Sequence, residues 1–146
     1  MLIENLLPQV RQRLVTVLDG VSLIEAAKLL RVGTDIVLVC DAAGILAGVI
    51  TKTDVVSQIS HCQGASCVTP VSLVMTRSVI TCDRRDSLHG VWMVMKQRQL
   101  KNIPVIDSET KPIGVLNARD ALDALLGEVE NEEVLLRDYV MGVGYQ

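Results

Sequence analysis

Two stretches of this chain repeat each other, and this repeat limits what the chain can fold into more than any other feature. The sequence GVITKTD at residues 48–54 returns as GVLNARD at residues 114–120, displaced by 66 positions. The similarity continues upstream, where LVCD at 38–41 matches PVID at 104–107 at the same displacement. A long period that occurs twice predicts tandem copies of one small unit, not an extended array.

Each copy predicts the same order of secondary-structure elements. Short, fully apolar stretches next to helical patterns indicate strands in a sheet that helices cover on at least one face. The predicted strands are residues 14–17, 36–40 and 45–50 in the first copy and 79–82, 103–106 and 113–116 in the second. Helices are expected to begin at Ser22, where Glu25 completes a capping box, at residue 51, at Ser87 and at residue 117. The fold class is therefore α/β (α+β), with a β-α-β-β-α order in each unit.

The two copies differ by one inserted residue. Upstream of the apolar strands Thr16 matches Thr81, so the displacement falls from 66 to 65 positions. A polar stretch with a glycine, followed by a proline, reads as the connecting loop. The predicted boundaries are 1–62 for unit one, 63–69 for the linker, 70–127 for unit two and 128–146 for a helical C-terminal tail.

Composition excludes several classes of function. Of 146 residues only 2% are aromatic and the net charge is −3, which argues against nonspecific nucleic-acid binding. No apolar run reaches the ~18–20 residues of a membrane span, and no basic segment typical of a signal peptide opens the chain. Four cysteines without a disulfide framework make a cytoplasmic location the expectation. No nucleophile elbow, Walker loop or catalytic carboxylate pair occurs, so we expect no enzyme, no catalytic residue and no covalent cofactor.

The repeated unit resembles the cystathionine-β-synthase (CBS) domain. The resemblance rests on the element order, on the Pro-Val-Ile-Asp strand end at 104–107 and on the Gly-hydrophobic-hydrophobic-Thr-x-x-Asp element at 48–54; it covers roughly residues 8–60 and 70–126. Two such domains in tandem resemble a Bateman module. The resemblance implies two units packed as a pseudo-two-fold pair, an adenine nucleotide bound between them as a regulatory ligand, a two-fold symmetric homodimer and an unidentified effector protein.

Several polar residues of the repeated element are candidate ligand contacts. Asp54 and Asp120 fall one turn into their helices, where a carboxylate can accept both hydroxyls of a ribose diol. Thr51 stands at a helix start, where its hydroxyl and free backbone N–H groups can meet a phosphate. Gly48 and Gly114 are expected to let the backbone pass close to a ligand.

The resemblance implies further contacts around the adenine and the phosphate. It implies first-strand residues that face the adenine, an apolar residue that packs on the base and a basic residue that faces phosphate. The complete predicted ligand-binding set is Thr16, Val17, Thr51, Asp54, Thr81, Cys82, Lys101, Ile103, Asn117, Arg119 and Asp120.

The two half-sites differ in charge. In the second copy Asn117 replaces Thr51, but Arg119 adds a guanidinium fork for phosphate. In the first copy Asp35 would repel phosphate if it pointed inward. We therefore favour the second-copy half-site, at Asp120. The helix-start pairs of both copies also fit capping boxes, so a purely structural role is the alternative.

Other interpretations stay open at this point. His61, Cys62 and Cys67 place three soft ligands in the linker, which allows a zinc or redox sensor, although zinc needs a fourth ligand and an exposed thiol pair is the simpler interpretation. A ligand-free dimerisation module is another alternative. Arg13 belongs to a short basic stretch expected in a solvated turn, with a phosphate contact as the alternative. AMP, ADP, ATP, NAD(H) and S-adenosylmethionine all carry the ribose diol, so the sequence does not choose among them.

Overall fold

The computed structural model describes residues 1–60 and 68–141, with side chains as far as residue 137. Its strands are β1 Thr16–Leu18, β2 Ile36–Cys40, β3 Leu46–Thr51, β4 Cys82–Asp83, β5 Asn102–Ile106 and β6 Pro112–Asn117. Its α-helices are α1 Leu7–Gln12, α2 Leu23–Leu29, α3 Lys52–Ser60, α4 Leu88–Arg98 and α5 Ala118–Met141. Two short 3₁₀ helices lie at Ile3–Leu6 and Val71–Leu73. Within the described ranges, no helix is both long enough and apolar enough to cross a membrane.

The strands form two sheets of the same topology. In the first sheet β1 is parallel to β2 and β2 is antiparallel to β3, and β4, β5 and β6 repeat this arrangement. Leu38 pairs with Val49 in the first sheet and Pro104 pairs with Val115 in the second, which are equivalent positions of the repeat. Strand β2 is buried along its whole length, as its continuous apolar composition requires. The prediction of a mixed α/β chain built from two like units is confirmed.

An aspartate organises the hairpin turn of each sheet. The Oδ1 of Asp41 accepts hydrogen bonds from the backbone N–H groups of Ala43 (2.9 Å) and Ile45 (3.0 Å), and Gly44 adopts a φ of +84°. In the second sheet the Oδ1 of Asp107 accepts the equivalent pair of bonds at 2.8 and 2.9 Å. Side-chain acceptors of this kind favour tight turns, so the two aspartates stabilise equivalent hairpins.

The segment that precedes the first strand of each unit packs on the other unit. The backbone N–H of Ile3 donates to the carbonyl of Asp86 at 3.0 Å, and the N–H of Val71 donates to the carbonyl of Val21 at 2.8 Å. Ile3 and Val10 are buried in the core of the second unit, and Val71 is buried in the core of the first. The two units are therefore held together by a reciprocal exchange of chain segments.

Gly48 and Gly114 lie where the exchanged segments cross the sheets. A Cβ at Gly48 would lie 2.8 Å from the carbonyl oxygen of Thr76, and a Cβ at Gly114 would lie 2.6 Å from the carbonyl oxygen of Val10. Thr76 also exchanges two backbone hydrogen bonds with Val49, at 3.0 and 2.9 Å. The expectation that these glycines admit a ligand is wrong, because the chain itself fills the space above them.

The first strand of each unit is displaced from its predicted position. The apolar stretch 79–82 joins the sheet only at its last residue, because Val79 packs with Leu38 and Val115 in the hydrophobic contact between the units. Leu14 takes part in the same contact, and β1 begins two residues later. The apolar pattern here marks the contact between the units instead of a strand.

Helix capping also differs between the copies. Ser22 begins α2 without a hydrogen bond to its side chain, and the carboxylate of Glu25 lies 3.4 Å from the Nζ of Lys28. The predicted capping box is therefore not formed. In the second copy Ser87 does cap α4, because its Oγ accepts a hydrogen bond from the N–H of Gly90 at 3.2 Å.

Helix α5 is longer than the predicted closing helix of unit two. It continues for 24 residues into the acidic C-terminal segment, and Gly127 does not interrupt it. At its start, the N–H of Ala118 donates to the carbonyl of Lys101 at 2.8 Å. Residues 128–141 of the predicted tail are therefore a continuation of the closing helix.

Replacing Gly114 by alanine should destabilise the fold, because the new Cβ would overlap the backbone carbonyl of Val10. Overpacking of this kind costs about 1–3 kcal/mol, and we expect the free energy of unfolding in urea to fall by that amount. Gly127→Ala is the matched control, since a Cβ there meets no atom within 4 Å; it should be neutral or stabilising by up to ~1 kcal/mol. Equal unfolding free energies for Gly114→Ala and the wild type would contradict the close contact.

Candidate ligand-binding cleft

A cleft of about 530 Å³ opens between the two units where β3 ends and α3 begins. This volume lies within the range of about 300–1,000 Å³ typical of small-molecule sites. The polar part of its wall includes Asp35, Thr51, Lys52, Asp54, Thr76, Ser78 and Lys101, and the apolar part includes Ile36, Val49, Val79, Ile80 and Pro104. Both units contribute to both parts, so the cleft depends on the exchanged packing described above.

The carboxylate of Asp54 is held in place at this cleft by three hydrogen bonds. Its Oδ2 accepts from the backbone N–H of Thr51 at 2.9 Å and from the hydroxyl of Thr51 at 3.1 Å. Its Oδ1 accepts from the hydroxyl of Thr76 at 3.2 Å. The capping interpretation of the 51/54 pair therefore holds, but these hydrogen bonds do not use every acceptor position of the carboxylate. An ionised carboxylate has about four acceptor positions, so Oδ1 can accept from a further donor.

The charges that line the cleft balance one another. The Nζ of Lys52 lies 3.8 Å from the Oδ1 of Asp35, with both side chains about half exposed. Lys101 is exposed on the second unit's side of the cleft, and its ammonium group has no ion pair among the described residues. With Asp54, the cleft therefore carries two carboxylates and two ammonium groups, of which the ammonium of Lys101 is not paired.

Three of the predicted residues line a separate cavity of about 300 Å³ beside α4. These are Thr81, Cys82 and Ile103, and the last two are almost fully buried. Burial, followed by the charges of two nearby aspartates, raises the pKa of the Cys82 thiol to about 12. Ile80 lines both this cavity and the larger cleft, so the two spaces adjoin at that side chain.

The second-copy half-site is occupied by the chain itself. The Nε of Arg13 donates to the Oδ2 of Asp120 at 2.5 Å, and the Nη2 of Arg13 donates to Oδ1 at 3.1 Å. The hydrogen bond with Asp120 raises the pKa of the Arg13 guanidinium, against the opposing effect of burial. The cavity at Arg13 has a volume of only about 60 Å³. The half-site that we favoured therefore carries an internal ion pair at Asp120, whereas the larger cleft adjoins Asp54.

Of the remaining predicted residues, Asn117 takes a structural role, Arg119 is exposed, and two from the first copy lie elsewhere. Asn117 donates from Nδ2 to the Oδ1 of Asn102 at 3.0 Å, and its own Oδ1 accepts from the N–H of Arg119 at 2.9 Å. The side chain of Arg119 is exposed. Thr16 and Val17 lie on β1 and line none of the three cavities described here. The structure therefore brings together only Thr51, Asp54 and Lys101 of the predicted set in the larger cleft.

Sequence reasoning missed residues that the repeat itself points to. At the displacement of 65, Ser78 in the open cleft corresponds to Arg13 in the closed one. Arg13, predicted in a solvated turn, is partly buried and paired with Asp120. Thr76, which donates to Asp54, gave no signal in the sequence because its role depends on a contact between residues 22 positions apart.

The candidate metal and thiol residues of the linker stay a prediction. His61, Cys62 and Cys67 lie outside the described residues. Within residues 1–60 and 68–137, no group of three His, Cys, Asp or Glu side chains is placed to hold a metal ion. Cys40 and Cys82 are buried free thiols.

Comparison with protein families identifies the repeated unit. A family model for the CBS domain matches residues 6–61 and 71–127, which together form most of the chain. The protein therefore belongs to the CBS-domain family, with two domains in tandem. The resemblance to a Bateman module is confirmed.

Solved structures share the arrangement of the pair. The chain resembles CBSX2, solved in complex with AMP, with a TM-score of 0.74 and 22% identity over 86% of this chain and 96% of that one. It also resembles the CBS domain pair of protein MJ0100, solved in complex with 5′-methylthioadenosine and S-adenosyl-L-methionine, with a TM-score of 0.71 and 23% identity over 88% of this chain and 97% of that one. At these identities the likeness establishes the fold.

The curated relatives are much longer proteins. Homoserine O-acetyltransferase of Methanosphaera stadtmanae is 37% identical over 81 residues, which is 56% of this chain and 15% of that protein. The chain spans at most 30% of the length of the curated relatives it matches.

Proposed function

We propose that this CBS-domain pair is a regulatory module that binds one adenosine-containing ligand in the cleft at Asp54. The observation that carries the proposal is the Asp54 carboxylate, which is fixed by Thr51 and Thr76 beside a cleft of about 530 Å³ and keeps acceptor capacity. A ribose diol supplies two neighbouring hydroxyl donors that suit such a carboxylate. Support also comes from two proteins of the same fold that were solved with adenosine compounds.

The walls of the cleft suit the other parts of such a ligand. Val79, Ile80 and Pro104 form an apolar surface on which an adenine ring can pack. Lys101 and the N-terminus of α3 are available to a negatively charged group, because both the ammonium and the first backbone N–H groups of a helix attract anions. We assign the base to the apolar wall and the 5′ substituent to the side of Lys101.

The charge balance of the cleft favours a ligand with few negative charges. Lys52 is already paired with Asp35, so Lys101 is the cation that remains for a phosphate. A triphosphate would bring about four negative charges next to two carboxylates, and like charges at this distance repel each other. AMP, 5′-methylthioadenosine and S-adenosylmethionine fit this balance better than ATP.

The regulatory part of the proposal follows from the position of the cleft between the units. A ligand that binds more tightly to one arrangement of the two units than to another shifts the population toward the first arrangement. An effector protein would then bind or release according to that arrangement. No covalent cofactor and no catalytic group enter this mechanism.

We also propose a homodimer, as the Bateman resemblance implies. Exposed apolar side chains lie at helical spacing on two helices that close the two units. They are Val56 and Ile59 on α3 and Leu122, Leu126 and Val129 on α5, with exposed fractions from 38% to 65%. Apolar stripes of this kind are typical of surfaces that pair with another protein surface.

The variant Asp54→Asn should lose most of its affinity for AMP and S-adenosylmethionine. Hydrogen bonds to a charged group contribute about 1.5–3 kcal/mol, so isothermal titration should show a dissociation constant raised by roughly 10–100-fold. Asp120→Asn is the matched control, because it changes the equivalent position of the other copy and should keep wild-type affinity. Lost affinity in Asp120→Asn with Asp54→Asn unaffected would transfer the site to the other half of the molecule.

The variant Lys101→Met should weaken AMP binding and leave 5′-methylthioadenosine binding unchanged, because only AMP carries a phosphate. An exposed ion pair contributes about 0.2–1 kcal/mol, which predicts a loss of roughly 1.5–5-fold that diminishes at high salt. Lys96→Met, in the last turn of α4 and outside the cleft, should bind both ligands as the wild type does. An equal loss for both ligands would argue against a phosphate contact at Lys101.

The dimer is tested by the paired change Ile59→Glu and Leu126→Glu. Burying a carboxylate in an apolar contact is unfavourable, so sedimentation velocity should show a dimer for the wild type and a monomer for the variant. Val32→Glu serves as the control, because that side chain is fully exposed and should leave the dimer intact. A monomeric wild type at concentrations of tens of micromolar would contradict the proposal.

A further inference from the structure

The two clefts of this pair are equivalent by the repeat, yet they differ in what faces the helix-start carboxylate. The displacement of 65 pairs Ser78, which lines the first cleft, with Arg13, which contacts Asp120; Asp54 itself accepts a hydrogen bond from the hydroxyl of Thr76. We propose that Arg13 limits the chain to one adenosine ligand, by occupying the carboxylate of Asp120 that corresponds to the ligand-binding Asp54. The proposal rests on the function proposed above and names the residue that selects between the two clefts.

The geometry of the Arg13–Asp120 pair is that of a fixed contact. Two guanidinium nitrogens donate to the two carboxylate oxygens, at 2.5 and 3.1 Å. The side chains are 32% and 20% exposed, so the pair is partly withdrawn from water. Two-pronged contacts between arginine and carboxylate are stronger and more directional than neutral hydrogen bonds. Both oxygens of Asp120 are therefore engaged by a cation.

The backbone brings Arg13 to this place. Val10, three residues earlier, packs directly over Gly114 on β6, and its carbonyl oxygen would lie 2.6 Å from a Cβ there. Arg13 ends helix α1 as its C-cap residue, so the distance from this anchor to the side chain is short. The contact thus follows from the exchange of chain segments and does not depend on a long, mobile loop.

The cavity beside Arg13 is too small for a nucleoside, and Asp120 is not among the residues that line it. The cavity at Arg13 measures about 60 Å³, against about 530 Å³ at Asp54. Small-molecule sites in proteins measure about 300–1,000 Å³. A serine at the place of Arg13, as in the first copy, would free both the carboxylate and the volume that the guanidinium fills.

A ligand does not easily displace Arg13. A ribose diol offers two neutral donors to the carboxylate, whereas the guanidinium offers two charged ones, and charge-assisted hydrogen bonds are roughly twice as strong. Asp35 adds a second, weaker attraction for the same cation. An uncharged diol would also leave the guanidinium without its main partner, which costs further free energy.

The test is the number of molecules of AMP, and in a separate titration of S-adenosylmethionine, bound per chain, measured by isothermal titration on the full chain. We expect one for the wild type and two for Arg13→Ser, with the second site lost again in Arg13→Ser/Asp120→Asn. The reciprocal variant Ser78→Arg should bind none, because it places a guanidinium opposite Asp54. Thermal unfolding without ligand checks that each variant is folded. Arg13→Ser removes an ion pair and could therefore unfold. In that case Ser78→Arg still tests the proposal, because it adds a guanidinium without removing an ion pair.

The outcomes separate this inference from the proposed function. One molecule bound by both the wild type and folded Arg13→Ser would overturn the role of Arg13 and leave the Asp54 cleft intact. Two molecules bound by the wild type would overturn it as well. If the wild type binds none while Arg13→Ser binds one through Asp120, the role of Arg13 stands and the Asp54 assignment fails. Failure of both proteins to bind AMP and S-adenosylmethionine would overturn both proposals.

Discussion

The close approach of backbone to backbone at Gly48 and Gly114 is the contact on which the rest of the molecule depends. At each glycine, a segment from the opposite unit lies where any larger residue would place its Cβ. Both contacts join the two units that form the walls of the cleft. Each unit contributes side chains to the core of the other, so neither unit buries its apolar surface alone. We therefore expect the pair to unfold in one cooperative transition.

From this contact the two clefts follow, and one side chain makes them unequal. The chain segments that cross the glycines continue directly into the residues that face the two helix-start aspartates. On one side the segment brings Thr76 and Ser78, whose small hydroxyl groups leave the carboxylate accessible. On the other it brings Arg13, whose guanidinium neutralises the carboxylate. A duplicated fold thus has one open and one closed cleft through a change in side-chain size and charge.

Much of this fold could be predicted from the sequence because its signals are local or periodic. The apolar strands and the order of elements follow from short stretches, and each of them occurs again in the second copy. The pairing of Thr51 with Asp54 was also foreseeable, because capping joins residues three positions apart.

The site was harder to predict, and the reason is physical. The ion pair that closes the second half-site joins residues 107 positions apart. No local sequence pattern predicts such a contact. The same applies to Gly48 and Gly114. Their glycine requirement was visible, but whether a ligand or the chain fills the space above them depends on packing between distant segments. Arg119 looked like an added phosphate contact on sequence grounds, yet its helix start turns it toward solvent.

Helix α5 connects the wall of the cleft to a distant part of the molecule. Its first residue donates a backbone hydrogen bond to Lys101, a residue of the cleft wall. From there 24 residues run without a break, which at 1.5 Å per residue is a rod of about 36 Å. A tilt of about 5° at the base of such a rod moves its tip by roughly 3 Å. A small tilt of α5 on ligand binding would therefore move the far end of the helix by about the diameter of an atom.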